Sequence, residues 1–201
     1  SLQSDLDLVI VCDSSDFAET SDGEKPLAGD VWMARAARRL ISGLTVPTQE
    51  GSLYNVDMRL RPSGNAGPLV TKMSSFTTYQ QNDAWTWEHM ALTQASVMAG
   101  SPDLVARLNA VMADVICRQR NKSVLADDVE AMRQRLFKHQ KIRGPLDIKN
   151  DPGGLIDIEF MLQGLILAYA ADCPAIASPR GLAAALGKLH AAELVSRSDY
   201  E

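Results

Sequence analysis

The chain has 201 residues, 46% of them hydrophobic, three cysteines and a formal net charge of −5. That length and apolar content can bury a core in one compact unit or two small ones, while the acidic balance argues against general nucleic-acid binding, for which a basic face is expected. Cys12, Cys117 and Cys173 lie far apart without metal-ligand spacing, no run approaches the roughly 18 to 20 apolar residues of a membrane span, and Ser1 does not open a basic then apolar stretch, so a reduced, cytoplasmic protein is expected.

The first segment, Ser4 to Val11 (SDLDLVIV), alternates like a β-strand. Side chains two apart share one face at about 6 to 7 Å, which puts Asp5 and Asp7 together, opposite Leu6, Leu8 and Ile10. Asp13 to Gly29 is polar and turn-rich, reading as a mobile loop. Asp30 is placed to cap a helix whose Met33, Ala37, Leu40, Ile41 and Leu44 recur at helical spacing, with Arg35, Arg38 and Arg39 on or beside a solvated face. Asn55 to Arg61 (NVDMRLR) alternates again and would place Asn55, Asp57, Arg59 and Arg61 on one face of a second strand.

If the two strands are neighbours, three carboxylates converge. Such repulsion is relieved by protonation or by a cation, and hard oxygen donors suit Mg²⁺ or Mn²⁺. With Arg59 and Arg61 available for phosphate oxygens, the set fits phosphoryl or nucleotidyl transfer, where catalysis is mostly positioning and charge neutralisation. The plain alternative is a group of strand-end acids in water. Arg61 to Pro68 then forms a turn-rich loop, either a cover for a nucleotide or an ordinary connection to a strand at Leu69 to Met73.

Helices dominate from Ser74 onward. Trp85 and Trp87 open a segment running to Met98 and read as anchors of the join between sheet and bundle rather than as adenine stackers. Pro102 and Asp103 start a helix through about Cys117, and Leu125 to His139 makes a charged amphipathic one with Glu130, Arg133 and Gln134 on its solvated side. Asp147 to Gly154 reads as a hinge, and Leu155 to Tyr169, apolar nearly all round, as a central buried helix. Asp157 and Glu159 are two apart on that helix and do not face each other, so first-turn acids complementing the helix dipole are favoured over a second metal site. Lys149 is open to a phosphate or to Asp157. His89, His139 and His190 read as surface or packing residues, and Ala183, Ala184 and Ala185 as close-packing positions in a last helix to Val195.

Five segments occur in an order that resembles the glutamine synthetase adenylyltransferase family: SDLDL at Ser4 to Leu8, VDMRLRPSG at Val56 to Gly64, AWTWEHMAL at Ala84 to Leu92, DIK at Asp147 to Lys149 and GGLIDIEF at Gly153 to Phe160. The resemblance extends to about Tyr169. It implies an α+β fold, with a DNA polymerase β-type nucleotidyltransferase core and mixed sheet over residues 1–83, followed by a helical bundle over 84–201. It also implies transfer of AMP from ATP, with Mg²⁺ as cofactor, to a tyrosine of glutamine synthetase, in the regulation of nitrogen assimilation and with a PII signalling protein as partner. Asp5, Asp7 and Asp57 would be the catalytic and metal-holding acids; Ser4, Arg59 and Arg61 would contact the nucleotide. The wording of AWTWEHMAL and RPSG looks more like the attaching, C-terminal half of that bifunctional enzyme than its adenylyl-removing half.

No glycine stands ahead of Asp5 where such enzymes carry a phosphate-cradling turn, so the N-terminal part of the core is expected to be missing. The competing expectations are the phosphorolytic, adenylyl-removing half, a catalytically silent fragment that docks regulators, and, on the Asp-x-Asp alone, a glycosyltransferase.

Overall fold

The computed structural model describes residues 5–13, 19–49, 51–52, 54–139, 147–177 and 181–200. Ser4 and the segment 14–18 lie outside the described residues. The protein combines helices with short strands, an α+β composition, and divides into two compact units, Ser1–Asp83 and Ala84–Glu201.

The first unit is built on two parallel strand pairs. Strand β1 (Leu6–Asp7) pairs with β5 (Val56–Asp57), and β2 (Ile10–Cys12) with β6 (Val70–Lys72). The single strand expected from Ser4 to Val11 is thus divided at Leu8 and Val9, because the segment changes partner there. Between them come helix α1 (Gly29–Thr45) and an antiparallel pair, β3 (Pro47–Thr48) with β4 (Gly51–Ser52). Asp30 is not the cap of α1: the cap position is Ala28, and the Asp30 carboxylate, inside the first turn, accepts the adjacent Val31 N–H at 2.8 Å. The described part of the preceding loop is pinned, with Ser21 and Leu27 exchanging backbone and side-chain hydrogen bonds and Gly29 N–H reaching Glu19 O at 3.1 Å. Met73 already belongs to helix α2 (Met73–Asn82), which with α1 packs on β6 through Ala37, Met73 and Phe76.

The second unit is helical. Helix α3 (Thr86–Leu92) stops short of the expected Met98, and Glu88 at its third position accepts the Trp85 N–H at 2.9 Å. Trp85 is 67% exposed and Trp87 39% exposed, while their neighbours Glu88, His89 and Met90 are buried. Helix α4 (Pro102–Ile116) begins as its sequence requires, with Ser101 as cap and Pro102 in the first turn. Arg120 closes its other end, donating to the carbonyls of Val115, Ile116 and Leu167; burial pushes this guanidinium down to about 10. Helix α5 (Lys122–His139) starts earlier than Leu125 because the Asn121 side chain accepts the Ser123 and Val124 N–H groups.

Helix α6 (Leu155–Tyr169) is central only in its second half: Leu162, Ile166 and Leu167 are fully buried, whereas Leu155, Ile158 and Met161 are exposed. Gly164 faces Val129 of α5, at a distance where a Cβ would make ordinary contact, 3.6 Å. Helices α7 (Leu182–Ala191) and α8 (Arg197–Tyr200) complete the unit; of the three alanines only Ala185 is buried. Asp147 to Gly154 is a hydrogen-bonded turn. The Asp147 carboxylate takes the N–H groups of Lys149 and Asn150 and the Asn150 side chain, and Asp151 returns a bond to Asp147 N–H at 3.0 Å. All three cysteines are free and partly buried.

Candidate active site

The acids meet at the β1–β5 pair. Leu6 N–H donates to Asn55 O at 2.7 Å and Leu8 N–H to Asp57 O at 2.8 Å, which fixes the register with Asp7 directly across from Asp57. Register partners in a parallel pair project to the same face, and Asp5 shares that face with Asp7 by the two-residue period. The electrostatics carry the mark of this crowding. Desolvation first, then the charges of Asp57 and Asp5, push the Asp7 carboxyl above its ordinary value, against the opposing pull of Arg59.

Strand β5 is much shorter than the alternation from Asn55 to Arg61 implies. Asp57 ends it: one carboxylate oxygen accepts the Arg59 backbone N–H at 2.8 Å, an Asx-type turn, and the other accepts Arg59 Nε at 2.7 Å. Arg59 Nη2 also pairs with Asp57. That side-chain bond is the main reason the Asp57 carboxyl sits below its ordinary value, and Arg59 is correspondingly held above its own, with smaller help from Asp7 and Asp5. Arg59 therefore faces the acids through a turn, not through the pleat. Its side chain is 71% exposed.

Arg61 has a different place from the one alternation assigns. Only 8% exposed, it donates to Met58 O at 2.7 Å and to Gly67 O at 3.4 Å, bracing the loop that follows β5. Its charge still reaches Asp57, lowering that carboxyl slightly. The loop itself requires glycine: a Cβ on Gly67 would lie 2.0 Å from Pro62 O. The sequence signal for this arrangement was the run Leu60-Arg61-Pro62-Ser63-Gly64, whose turn formers compete with continued pleating.

The donor chemistry, the Asp5 and Asp7 carboxylates with a third across the ladder, suits a hard divalent cation. Among the described residues no three His, Cys, Asp or Glu side chains already form a metal cage, and Asp57 is engaged by Arg59. Asp5 and Asp7 are the pair that could hold such an ion. In the second unit, Asp157 and Glu159 form no second centre. Asp157 accepts Gly153 N–H at 2.6 Å and pairs with Arg133, so Arg133 is a half-buried tie between α5 and α6 rather than part of a solvated face. Lys149 is exposed, and Asp157 takes Arg133 instead. His89 is buried with Arg118 3.3 Å away, and His190 lies 3.1 Å from Val195 O, both packing positions; the His139 side chain is outside the described residues.

Among the described residues no helix is long and apolar enough to cross a membrane. The family model described as glutamate-ammonia ligase adenylyltransferase matches residues 1–111. Over 165 residues, 82% of this chain and 17% of the relative, the chain is 48% identical to the bifunctional glutamine synthetase adenylyltransferase/adenylyl-removing enzyme of Brucella suis. It is 43% identical over 173 residues to the protein of that description from Rhodopseudomonas palustris, covering 86% of this chain and 18% of that one. For Rhizobium meliloti the identity is 44% over 176 residues, 88% of this chain and 18% of the relative. The chain thus spans less than a fifth of the length of these curated relatives. With more than half of its residues matched by the family model and identities above two in five across most of its length, the chain belongs to the glutamate-ammonia ligase adenylyltransferase family.

Proposed function

We propose that the β1–β5 acids form the transfer centre of a DNA polymerase β-type nucleotidyltransferase core, and that the reaction is adenylylation of a glutamine synthetase tyrosine by ATP. The observation that carries this reading is the register that sets Asp7 opposite Asp57, with Arg59 bonded to Asp57 beside the other acids. A magnesium ion bound by Asp5 and Asp7 would supply charge neutralisation for the triphosphate. Arg59, exposed and tethered among the described residues to Asp57, would turn to the phosphate oxygens as ATP arrives. That movement frees Asp57 and restores its basicity, so the carboxylate can accept the tyrosine proton. The tyrosine oxygen then bonds to the α-phosphorus, the bond from that phosphorus to the β-phosphate bridging oxygen breaks, and pyrophosphate leaves. Arg61 serves by holding the loop after Asp57, and Ser4, just before Asp5, would contact the phosphates.

The relatives' description names both attachment and removal of the adenylyl group. The motif wording at Arg61-Pro62-Ser63-Gly64 and Trp85-Thr86-Trp87 supports attachment. The same reading makes a PII signalling protein the regulatory partner and the cytoplasm the place of work. Incubating the chain with labelled ATP, magnesium and unmodified or adenylylated glutamine synthetase tests it. Label on the unmodified enzyme, lost in Asp7→Asn, is the expected result. Phosphate-dependent release of AMP from the adenylylated enzyme would assign the removing half instead, and neither reaction would leave a regulator-docking role.

A further inference from the structure

Outside the acid site, the first unit carries a groove of about 500 Å³ between the loop at Ser21 to Leu27 and one face of α1. Trp32, Arg35 and Arg39 line it from the helix and Lys25 from the loop; among the described residues Asp22 is the one acid on its wall. Spacings of three and four put Trp32, Arg35 and Arg39 in a row along one helix face, spanning about 10 Å at 1.5 Å per residue. Among the described residues none of the three cations pairs with a carboxylate, although the chain as a whole is acidic. Trp32 is 46% exposed, which leaves part of its ring surface open to the groove. None of Asp5, Asp7, Asp57 or Arg59 lines the groove.

Concentrated positive charge beside a bare aromatic ring is the chemistry that takes a planar, polyanionic ligand. Guanidinium groups bind phosphate oxygens through paired N–H donors, and an indole face stacks on a heterocyclic base at a volume suited to small molecules. We propose that this groove is a second, metal-independent site for a nucleoside polyphosphate, with the base on Trp32 and the phosphates along Arg35, Arg39 and Lys25. It differs in kind from the acid site. Three carboxylates repel phosphate unless a cation is present, whereas the groove brings its own cations.

Titration calorimetry of ADP and of inorganic pyrophosphate into the 201-residue chain in EDTA isolates the groove, because metal-free phosphates are repelled by the acids. ADP is expected to bind, more weakly as salt rises. Arg35→Gln with Arg39→Gln is expected to weaken binding about tenfold or more, and Trp32→Ala to erase the preference for ADP over pyrophosphate. Lys25→Gln, on the opposite wall, repeats the test if the helix variant fails to fold. Absence of metal-free binding, or binding unchanged in folded variants, overturns the site. Pyrophosphate binding as tight as ADP and indifferent to Trp32→Ala overturns the nucleotide assignment. Loss of magnesium-dependent AMP transfer alone would count against the acid site and leave the groove standing.

Discussion

Asp57 and Arg59 hold each other in a closed pair, and that pair sets what each acid is expected to contribute. If Asp5 and Asp7 hold the nucleotide-bound ion, Asp57 acts on the entering hydroxyl; Asp57→Ala should therefore lower kcat by a factor of a hundred or more, roughly the worth of a general base, with little change in nucleotide affinity. Single-turnover assays beside ATP binding measurements check this, and an Asp57→Ala enzyme with unchanged kcat would sink the three-acid reading. Asp5→Asn and Asp7→Asn should each abolish transfer while the protein stays folded. Gly67 makes a separate case. Because a Cβ there would meet Pro62 O at 2.0 Å, Gly67→Ala must displace the loop that Arg61 braces. A cost of about 2 kcal/mol is expected in denaturant unfolding. Stability equal to the parent would show that the loop yields freely.

At the level of elements, alternation made both acid-bearing segments legible as strands, but their pairing, Leu6 with Val56 and Asp7 with Asp57, is set by contacts about 50 residues apart that no local pattern encodes. What followed Asp57 was not legible either. Arg61 alternates correctly with Asp57 and Arg59, yet its partners are backbone carbonyls, which leave no trace in a pattern of side chains. Arg133 was misread for a related reason: its partner lies 24 residues away, beyond any local spacing rule. The Arg133 hydrogen bond holds the Asp157 carboxyl below its ordinary 3.8, so the pair stabilises the fold fully above that pH. As pH falls below 3.8 and through the lower folded value, the contribution is lost. Asp157→Asn should cost about 1 to 2 kcal/mol at neutral pH, more than a lone first-turn charge, because it leaves a half-buried guanidinium without its counter-charge. The variant should also lose that acid-dependent step in a pH series of thermal melts while AMP transfer continues. Severe loss of turnover at unchanged stability would instead place Asp157 in the chemistry.

Across the whole molecule, chemistry and core are unequally divided. The helical unit encloses a continuous apolar cluster, including Met90, Ile116, Leu125, Leu162, Ile166 and Leu189. In the strand-bearing unit the buried hydrophobic side chains among the described residues are Ala37, Met73 and Phe76, and both the acid pair and the basic groove lie there. Hydrophobic burial is the main favourable contribution to folding, so the site-bearing unit has the smaller margin against its conformational entropy. Residues 84–201 expressed alone are expected to give a cooperative thermal transition with native helical content. In the full chain, metal-free ADP binding should disappear on warming before most of the helical signal does, since the groove sits on the less densely buried unit. Circular dichroism recorded alongside ADP titrations at stepped temperatures tests this order. Simultaneous loss of both signals, or a bundle that fails to fold without residues 1–83, would mean that the two units share a single cooperative core.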